Sequence, residues 1–307
     1  MKLLKRTEIP KPEITYNLHI ENNHNYVANG AVVSNCHGAK GPQLQKILIE
    51  HSSKILYRFG VTGTLPKDQS DLMAVHVALG PVRYTIAAAE LMDRDILAKL
   101  HIDIIQLEEN LETEYADFLK EFTVSKPPTY IQFKDGYFPD YSSEKSHLQH
   151  NPDRIEWIAN MIEVKRDMKK GNVLCLVDSI AFGRKLAELV PGSFFVNGQD
   201  MKKPEKRKAI YDMFKDRNDL VCFATSAIAS TGLNIPRIFN LVTIDIGKSF
   251  IKIVQSIGRS LRKADDKDSV TVTDVCSDLK YSKKHLTQRI QYYKEAAYPH
   301  KKHKITI

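Results

Sequence analysis

Asn35 and Cys36 stand side by side, and this pair can do chemistry on the chain itself. An Asn side-chain amide can attack its own backbone carbonyl, cleaving the chain as a succinimide forms. A thiol at the next position can take over an acyl group near neutral pH. The bland alternative is an ordinary hairpin carrying a deamidation-prone Asn and a chance Cys. Further along, Gln255, Arg259 and Arg262 are spaced i, i+4 and i+7, which puts them on one face of a helix. Such a face can hold two guanidinium groups toward phosphate oxygens, where they stabilise developing negative charge; the alternative is a solvated basic helix. In the run Ser230-Thr231-Gly232-Leu233-Asn234-Ile235, two hydroxyls precede a glycine that permits close backbone approach to a phosphate. Gly247-Lys248-Ser249 imitates the end of a phosphate-cradling loop, but Val242 stands where the leading glycine of GxxxxGK[ST] is required, so this segment reads as a plain loop.

These residues need elements to hold them. Residues 14–20 alternate apolar and polar like a half-buried strand, and Asn29-Gly30 is a hairpin turn signal before Ala31-Val32-Val33. From residue 42 the pattern changes to an amphipathic helix (Leu44, Ile47, Leu48), a strand-like run over 55–61, a Thr62-Gly63-Thr64 loop and a helix near 70–79. Residues 108–152 mix acids, prolines and aromatics without clear periodicity and read as a connector or insertion containing the domain boundary. Beyond it, apolar runs at 173–177, 194–196, 220–224, 239–244 and 270–275 alternate with helical patterns near 153–169, 180–189, 204–215 and 250–262. Alternation of this kind predicts right-handed βαβ crossovers and a mostly parallel sheet, with ligands at the carboxyl ends of its strands. The tail 278–307 is dense in Lys, Arg, His and Tyr, and Lys283, Lys284, Arg289, Lys294, Lys301 and Lys302 are candidates for backbone phosphate contacts or simply a solvated helix.

The 307 residues suffice for two packed domains, and 42% hydrophobic with 27% charged residues argue for folded structure rather than long-range disorder. A net charge of +8 favours a polyanionic partner modestly. No run approaches the about 18 apolar residues of a membrane span, and Met1-Lys2-Leu3-Leu4-Lys5-Arg6 lacks a signal-peptide core, so a cytoplasmic protein with no membrane partner is expected. The cysteines at 36, 175, 222 and 276 have no metal-ligand spacing and no metal site is expected; the last three lie in or beside strand-like runs as core residues.

Residues 14–36, from Tyr16-Asn17-Leu18-His19 through Val33-Ser34-Asn35-Cys36, resemble the two C-terminal blocks of inteins. The resemblance implies that Asn35 cyclises, that Cys36 accepts the acyl group, and that His24 assists proton transfer. Asn17 and Ser34 depart from the family, which often has Asp and His there. The first half of an intein would have to come from another polypeptide, so a start at Met1 implies a trans-splicing split intein.

Four later segments resemble superfamily 2 helicase motifs in their expected order. Cys36-His37 would complete a DEAD/DECH-like box, its acidic pair supplied by an upstream half; His37 is the end of that motif. Thr62-Gly63-Thr64-Leu65-Pro66 looks like the third motif, coupling nucleotide state to the strand-binding surface through Thr62 and Thr64. Ala224-Thr225 through Ile235 is similar to the fifth, with Thr225, Ser230 and Thr231 toward nucleic acid and Gly232 and Asn234 toward nucleotide; Asn234 replaces the commoner Asp. Residues 255–262 match QxxGRxxR of the sixth, which makes Gln255 a nucleotide contact and Arg259 and Arg262 arginine fingers. With Val177, Phe195-Val196-Asn197-Gly198 and Gln288 through Lys294, residues 36–307 resemble the UvsW-type helicases of tailed phages.

These resemblances together imply an α/β chain: an intein fragment over 1–35, a partial first RecA-like lobe with connector over 36–150, a complete second lobe over 151–277 and a basic tail over 278–307. ATP and Mg2+ are the implied cofactors, with the Mg2+ ligands on the upstream half. The implied partners are that half and branched or double-stranded DNA in an infected bacterial cell. Alone, the chain is expected to be catalytically idle. Another superfamily 2 translocase of restriction or repair type, or a DNA-binding module without enzymatic activity, stays open.

Overall fold

The run Asn172–Val177 is apolar at nearly every position, the composition of a strand covered on both faces. The computed structural model describes residues 25–28, 31–35, 41–51, 57–61, 65, 68–86, 88–94, 96–121, 127–168, 171–226, 228, 238–247 and 269–307. The chain divides into two units, Met1–Thr85 and Ile86–Ile307.

In the first unit, β1 (Asn25–Ala28) and β2 (Ala31–Asn35) pair antiparallel, joined by the two residues Asn29-Gly30, and β3 (Tyr57–Val61) lies parallel to β2. Between β2 and β3 the chain forms α1 (Pro42–Lys46) and a π-helical turn (Ile47–His51) that buries Leu48. Helix α2 (Gln69–Leu79) starts at Asp68, whose carboxylate accepts from the backbone N–H of Ser70 and Asp71. The side-chain amide of Gln45 donates to the Ala74 carbonyl at 2.6 Å, tying α1 to α2.

The second unit is built on a seven-stranded, wholly parallel sheet. Its strands are β4 (Lys99–Glu108), β5 (Asn172–Val177), β6 (Phe194–Val196), β7 (Val221–Thr225), β8 (Ile238–Ile244), β9 (Ser269–Ser277) and β10 (His300–Thr306), in the order β10-β4-β9-β8-β5-β7-β6. The period-2 rule sends Val173, Cys175 and Val177 to one face, where α7 (Pro152–Asp167) and α8 (Ile180–Leu189) bury Ile155, Ile158, Ile162, Phe182 and Leu186 against them. Leu174 and Leu176 point the other way, toward Phe214 of α10 (Pro204–Asp216) and toward Leu286 and Tyr293 of α11 (Lys280–Glu295). The short helices α3 (Ala88–Asp93) and α9 (Gly198–Lys202) complete the unit with α4 (Glu112–Glu121), α5 (Tyr130–Gly136) and α6 (Tyr141–His150).

Two expectations are corrected. The division between units falls at 85/86 rather than inside 108–152, because β4 hydrogen-bonds between β9 and β10 in the second sheet. The supposed connector is three helices around a small apolar cluster, Leu111, Phe133, Phe138 and Leu148 with Leu279, which leaves little apolar periodicity to see. Residues 278–307 are a core helix and an edge strand rather than a separate tail. The run His300-Lys301-Lys302-His303-Lys304 is how an edge strand discourages further pairing, and in sequence it imitates a solvated charge run. The predicted strand at 14–20 and helix at 250–262 lie outside the described residues.

Gly183 lets α8 approach the sheet closely. A Cβ there would lie 2.5 Å from Phe195 Cε2 and 2.8 Å from Val177 Cγ2. Alanine is the better helix former by roughly 0.5–1 kcal/mol, but overpacking costs about 1–3 kcal/mol. Gly183→Ala is therefore expected to lower stability in urea unfolding, against the usual sign for a helix.

Candidate functional site

From β5 the chain moves outward to β6, returns to β7 beside β5, and then crosses to β8 on the opposite side of β5. The order of strands thus reverses at β5, which opens a crevice outside the carboxyl ends of β5 and β8, the usual ligand position of an open parallel sheet.

Asp178 follows β5, Ser226 follows β7, and Asp245, Ile246 and Gly247 follow β8. The Asp178 carboxylate joins these ends: the Ser226 hydroxyl donates to its Oδ1 and the Gly247 N–H to its Oδ2 at 3.3 Å. Lys145 Nζ stands 4.0 Å from the same carboxylate and 5.9 Å from the centre of the Tyr141 ring. Burial, then the nearby carboxylates of Asp178 and Asp245, push the Tyr141 phenol up to about 12. A Cβ on Gly247 would sit 3.1 Å from the Tyr141 hydroxyl, so the backbone approach there depends on the missing side chain.

Two buried arginines fix the chain just after β8. Asp245 has a left-handed backbone (φ 48°), which costs a non-glycine residue on the order of 1–2 kcal/mol. Its N–H donates to the Val275 carbonyl at 3.0 Å, and its carboxylate accepts from Arg154 Nη2 at 2.7 and 2.8 Å. Arg154 Nη1 donates to Glu109 at 2.6 Å, and the Asn151 amide donates to the other oxygen of Glu109 at 3.2 Å. Burial works against the charge of Arg154, but Asp245 and then Glu109 outweigh it and hold its pKa above the usual value. From the opposite side, Arg289 Nη1 donates to the Ile246 carbonyl at 2.7 Å and its Nε to Asp274 at 2.8 Å. Tyr293 donates its hydroxyl to the same Asp274 oxygen at 3.0 Å. Burial opposes the Arg289 charge too, and Asp274 reverses the balance, so its pKa is raised.

Among the sequence-predicted residues, Thr225 is the last residue of β7, at this rim. The stretch from 226 to 237, with Ser230, Thr231, Gly232 and Asn234, leaves from the carboxyl end of β7. The stretch carrying Gln255, Arg259 and Arg262 leaves from Gly247, beyond the carboxyl end of β8. Both therefore start on the crevice side, although those seven residues lie outside the described residues. In the first unit Asn35 ends β2 and Val61 ends β3, and the two are register partners, so the chain leaves both strands at one end. His24, Cys36, His37, Thr62 and Thr64 lie outside the described residues.

Arg289 is corrected as a phosphate contact: it is 4% exposed and held by Asp274 and Ile246. Lys283 is paired with Asp135 at 2.7 Å, whereas Lys284, Lys294, Lys301 and Lys302 are exposed. Cys175, Cys222 and Cys276 are buried, and burial raises all three thiols, Cys276 to about 12, which leaves them unreactive. Among the described residues no group of three or more His, Cys, Asp and Glu side chains is placed to hold a metal ion. No helix among them is long and apolar enough to cross a membrane. Sequence reasoning missed Asp178, Arg154, Asp245 and Tyr141. Only Asp178 carried a signal, an Asp-Ser pair closing an apolar strand where Ser179 caps α8.

Residues 153–264 match the helicase conserved C-terminal domain family. The chain is 24% identical over 278 residues to the "ATP-dependent DNA helicase uvsW" of Enterobacteria phage T4, covering 84% of this chain and 51% of that protein. It spans about half the length of the curated relatives it matches. The crystal structure of T4 UvsW superposes with a TM-score of 0.50 at 18% identity, over 89% of this chain and 53% of the other. The ATP-dependent Type ISP restriction-modification enzyme LlaBIII bound to DNA superposes with a TM-score of 0.54 at 15% identity, over 90% of this chain and 21% of the other. The second unit thus has the parallel α/β fold of a helicase C-terminal lobe.

Proposed function

We propose that residues 36–307 are the downstream half of an ATP-dependent helicase acting on branched or double-stranded DNA, and that residues 1–35 are the C-terminal fragment of a split intein that joins it to its upstream half. The observation that carries the helicase reading is the crevice at β5 and β8, from whose rim the stretches bearing the fifth- and sixth-motif residues both depart, within a region that matches the helicase C-terminal domain family. Gln255, Gly232 and Asn234 would contact ATP, with Arg259 and Arg262 set against its phosphates. Thr225, Ser230 and Thr231, with Thr62 and Thr64, would face the nucleic acid backbone. Mg2+ would be held by acidic residues of the upstream half beside His37. A second reading is another superfamily 2 translocase of restriction or repair type; an ATP-dependent restriction-modification enzyme bound to DNA shares the fold. Branched-DNA unwinding by the completed protein separates the two.

The splicing reading rests on the juxtaposition of Asn35 and Cys36 and on the intein-like run that ends there. The upstream acyl group, first shifted from its peptide nitrogen to the side-chain nucleophile of the partner polypeptide's first intein residue, moves to Cys36 Sγ as a thioester, and that nucleophile leaves with the proton of the Cys36 thiol. Asn35 Nδ2 then attacks its own carbonyl carbon, the 35–36 peptide bond breaks, and Cys36 regains a free amine, with His24 assisting the proton's passage to it. That amine attacks the thioester carbon, forming the new peptide bond and returning the thiol. Mixing this chain with a polypeptide that ends in an intein start after Asp-Glu should give a ligated product and a released 35-residue piece, both read by mass. Asn35→Ala should abolish release while leaving the two chains able to associate. Release from Asn35→Ala at the unaltered rate would sink the assignment.

A further inference from the structure

We propose that α6 and α11 build a separate ligand site beside the end of β8, a pocket that admits one oxygen of a phosphate group, from a nucleic acid backbone or from free phosphate. The inference goes beyond the proposed function and does not rest on it. Its donors, Tyr141, Lys145 and Arg289, all lie outside residues 153–264, the stretch matched by the helicase C-terminal domain family.

Tyr141 and Lys145 of α6 and His285 and Arg289 of α11 line the pocket together with Asp245. Tyr141, Lys145 and Asp245 are partly exposed and form its mouth, while His285 and Arg289 are buried behind them. The centre of a water-sized group can move through only about 10 Å³ there, which is room for a single oxygen atom and not for a whole phosphate. The edge of the His285 ring, 4.8 Å from that of Tyr141 between centres, fixes one wall.

The lining offers more donors than acceptors. Arg289 is too deep to meet a phosphate lying on the surface, and its Nε and Nη1 are spent on Asp274 and Ile246. Its Nη2, however, is buried without a hydrogen-bond partner, a costly state that an entering acceptor would relieve. Lys145 Nζ stands 4.0 Å from Asp178, beyond hydrogen-bond distance, and is free to turn toward a ligand. Burial, then Asp178 and Asp245, push the Tyr141 phenol up to about 12, so at neutral pH it keeps its proton and can donate it. The neighbouring carboxylates are already engaged: both oxygens of Asp245 accept from Arg154, and Asp178 accepts from Ser226 and Gly247. Glu144 accepts from Ser282 and from the Tyr281 N–H. Three donors around an oxygen-sized space select a ligand atom that only accepts and carries charge, as a phosphate oxygen does. Asp178 and Asp245 still oppose an anion at the mouth, so the site holds free phosphate weakly.

Thermal unfolding of the full chain in inorganic phosphate, against chloride at matched ionic strength, tests the site without nucleotide or upstream partner. A ligand that binds the folded chain stabilises it by mass action, so phosphate should raise Tm along a saturable curve that chloride lacks. Lys145→Gln should weaken the apparent phosphate affinity by about tenfold, and Tyr141→Phe should act in the same direction. Lys185→Gln, which removes an exposed charge from α8, should leave it unchanged. Tm without phosphate shows whether each variant folds, and either pocket variant suffices for the test. A phosphate effect that equals that of chloride, or that survives both pocket substitutions, would overturn the proposal. A DNA duplex in chloride buffer identifies the source. Affinity that falls in Lys145→Gln and not in Lys185→Gln assigns the oxygen to the nucleic acid backbone; affinity equal in the two, with the phosphate effect intact in the parent chain, assigns it to free phosphate. Neither splicing nor ATP turnover enters these measurements, so the site and the proposed function stand or fall separately.

Discussion

Arg154→Ala should lower the stability of the second unit by about 3–5 kcal/mol, the usual consequence of removing one partner from a buried ionic network. Arg154 is fully buried and makes charge-assisted bonds to Glu109 and to both oxygens of Asp245. Its loss strands two carboxylates and leaves the left-handed backbone at Asp245 without its side-chain anchor. Burial already pushes the Glu109 carboxyl above its usual value, with Arg154 opposing that push. Without the arginine only the upward push remains. A carboxyl whose pKa is raised by folding loses stability as pH rises from its unfolded value, near 4.5, through its folded one, so the variant should regain part of the deficit as pH falls from 7 toward 5. Urea unfolding at the two pH values checks both sign and size. Combining Arg154→Met with Glu109→Gln and Asp245→Asn should be markedly less damaging than Arg154→Ala alone, because no net charge then stays buried. A deficit below about 1 kcal/mol for the single substitution would mean that water reaches these groups and that the network does not hold the rim.

What could be read in the sequence was whatever local pattern decides. The strands β5 to β9 and helices α7, α8 and α10 announce themselves because each is an apolar run or an amphipathic stretch bounded by a capping signal, such as Asn151 before Pro152 at the start of α7. β10 and α11 were hidden because their charged residues have partners outside their own element: Arg289 looks like one more tail cation until Asp274, on the preceding strand β9, claims it. β4 has a clear alternation, Leu100, Ile102 and Ile104, but nothing local says which sheet receives it, and its neighbours β9 and β10 lie more than 150 residues away. The site divides the same way. Motif spacing exposes the groups proposed to meet the ligand, while Asp178, Arg154 and Asp245, which fix the strand ends at the crevice, have roles defined only by the fold.

On the proposed function, Arg259→Ala should lower ATP turnover of the ligated protein by about 10³- to 10⁵-fold, the range for removal of an arginine finger. The size follows from where the charge acts: a guanidinium set against the terminal phosphate stabilises charge that spreads over its oxygens mainly in the transition state, so binding of ATP itself should weaken by no more than about tenfold. Arg262→Ala should act in the same direction, and the double substitution should cost less than the product of the two, because both groups serve one charge. The stretch that carries them starts at Gly247, whose N–H is held by Asp178, directly after Asp245 and Ile246, which Arg154 and Arg289 hold from opposite sides. A finger is effective only from a rigid base, and three separate elements converge to make that base rigid. Turnover that fell together with nucleotide affinity would instead assign Arg259 to ground-state binding, and turnover that did not fall would remove the arginine-finger role.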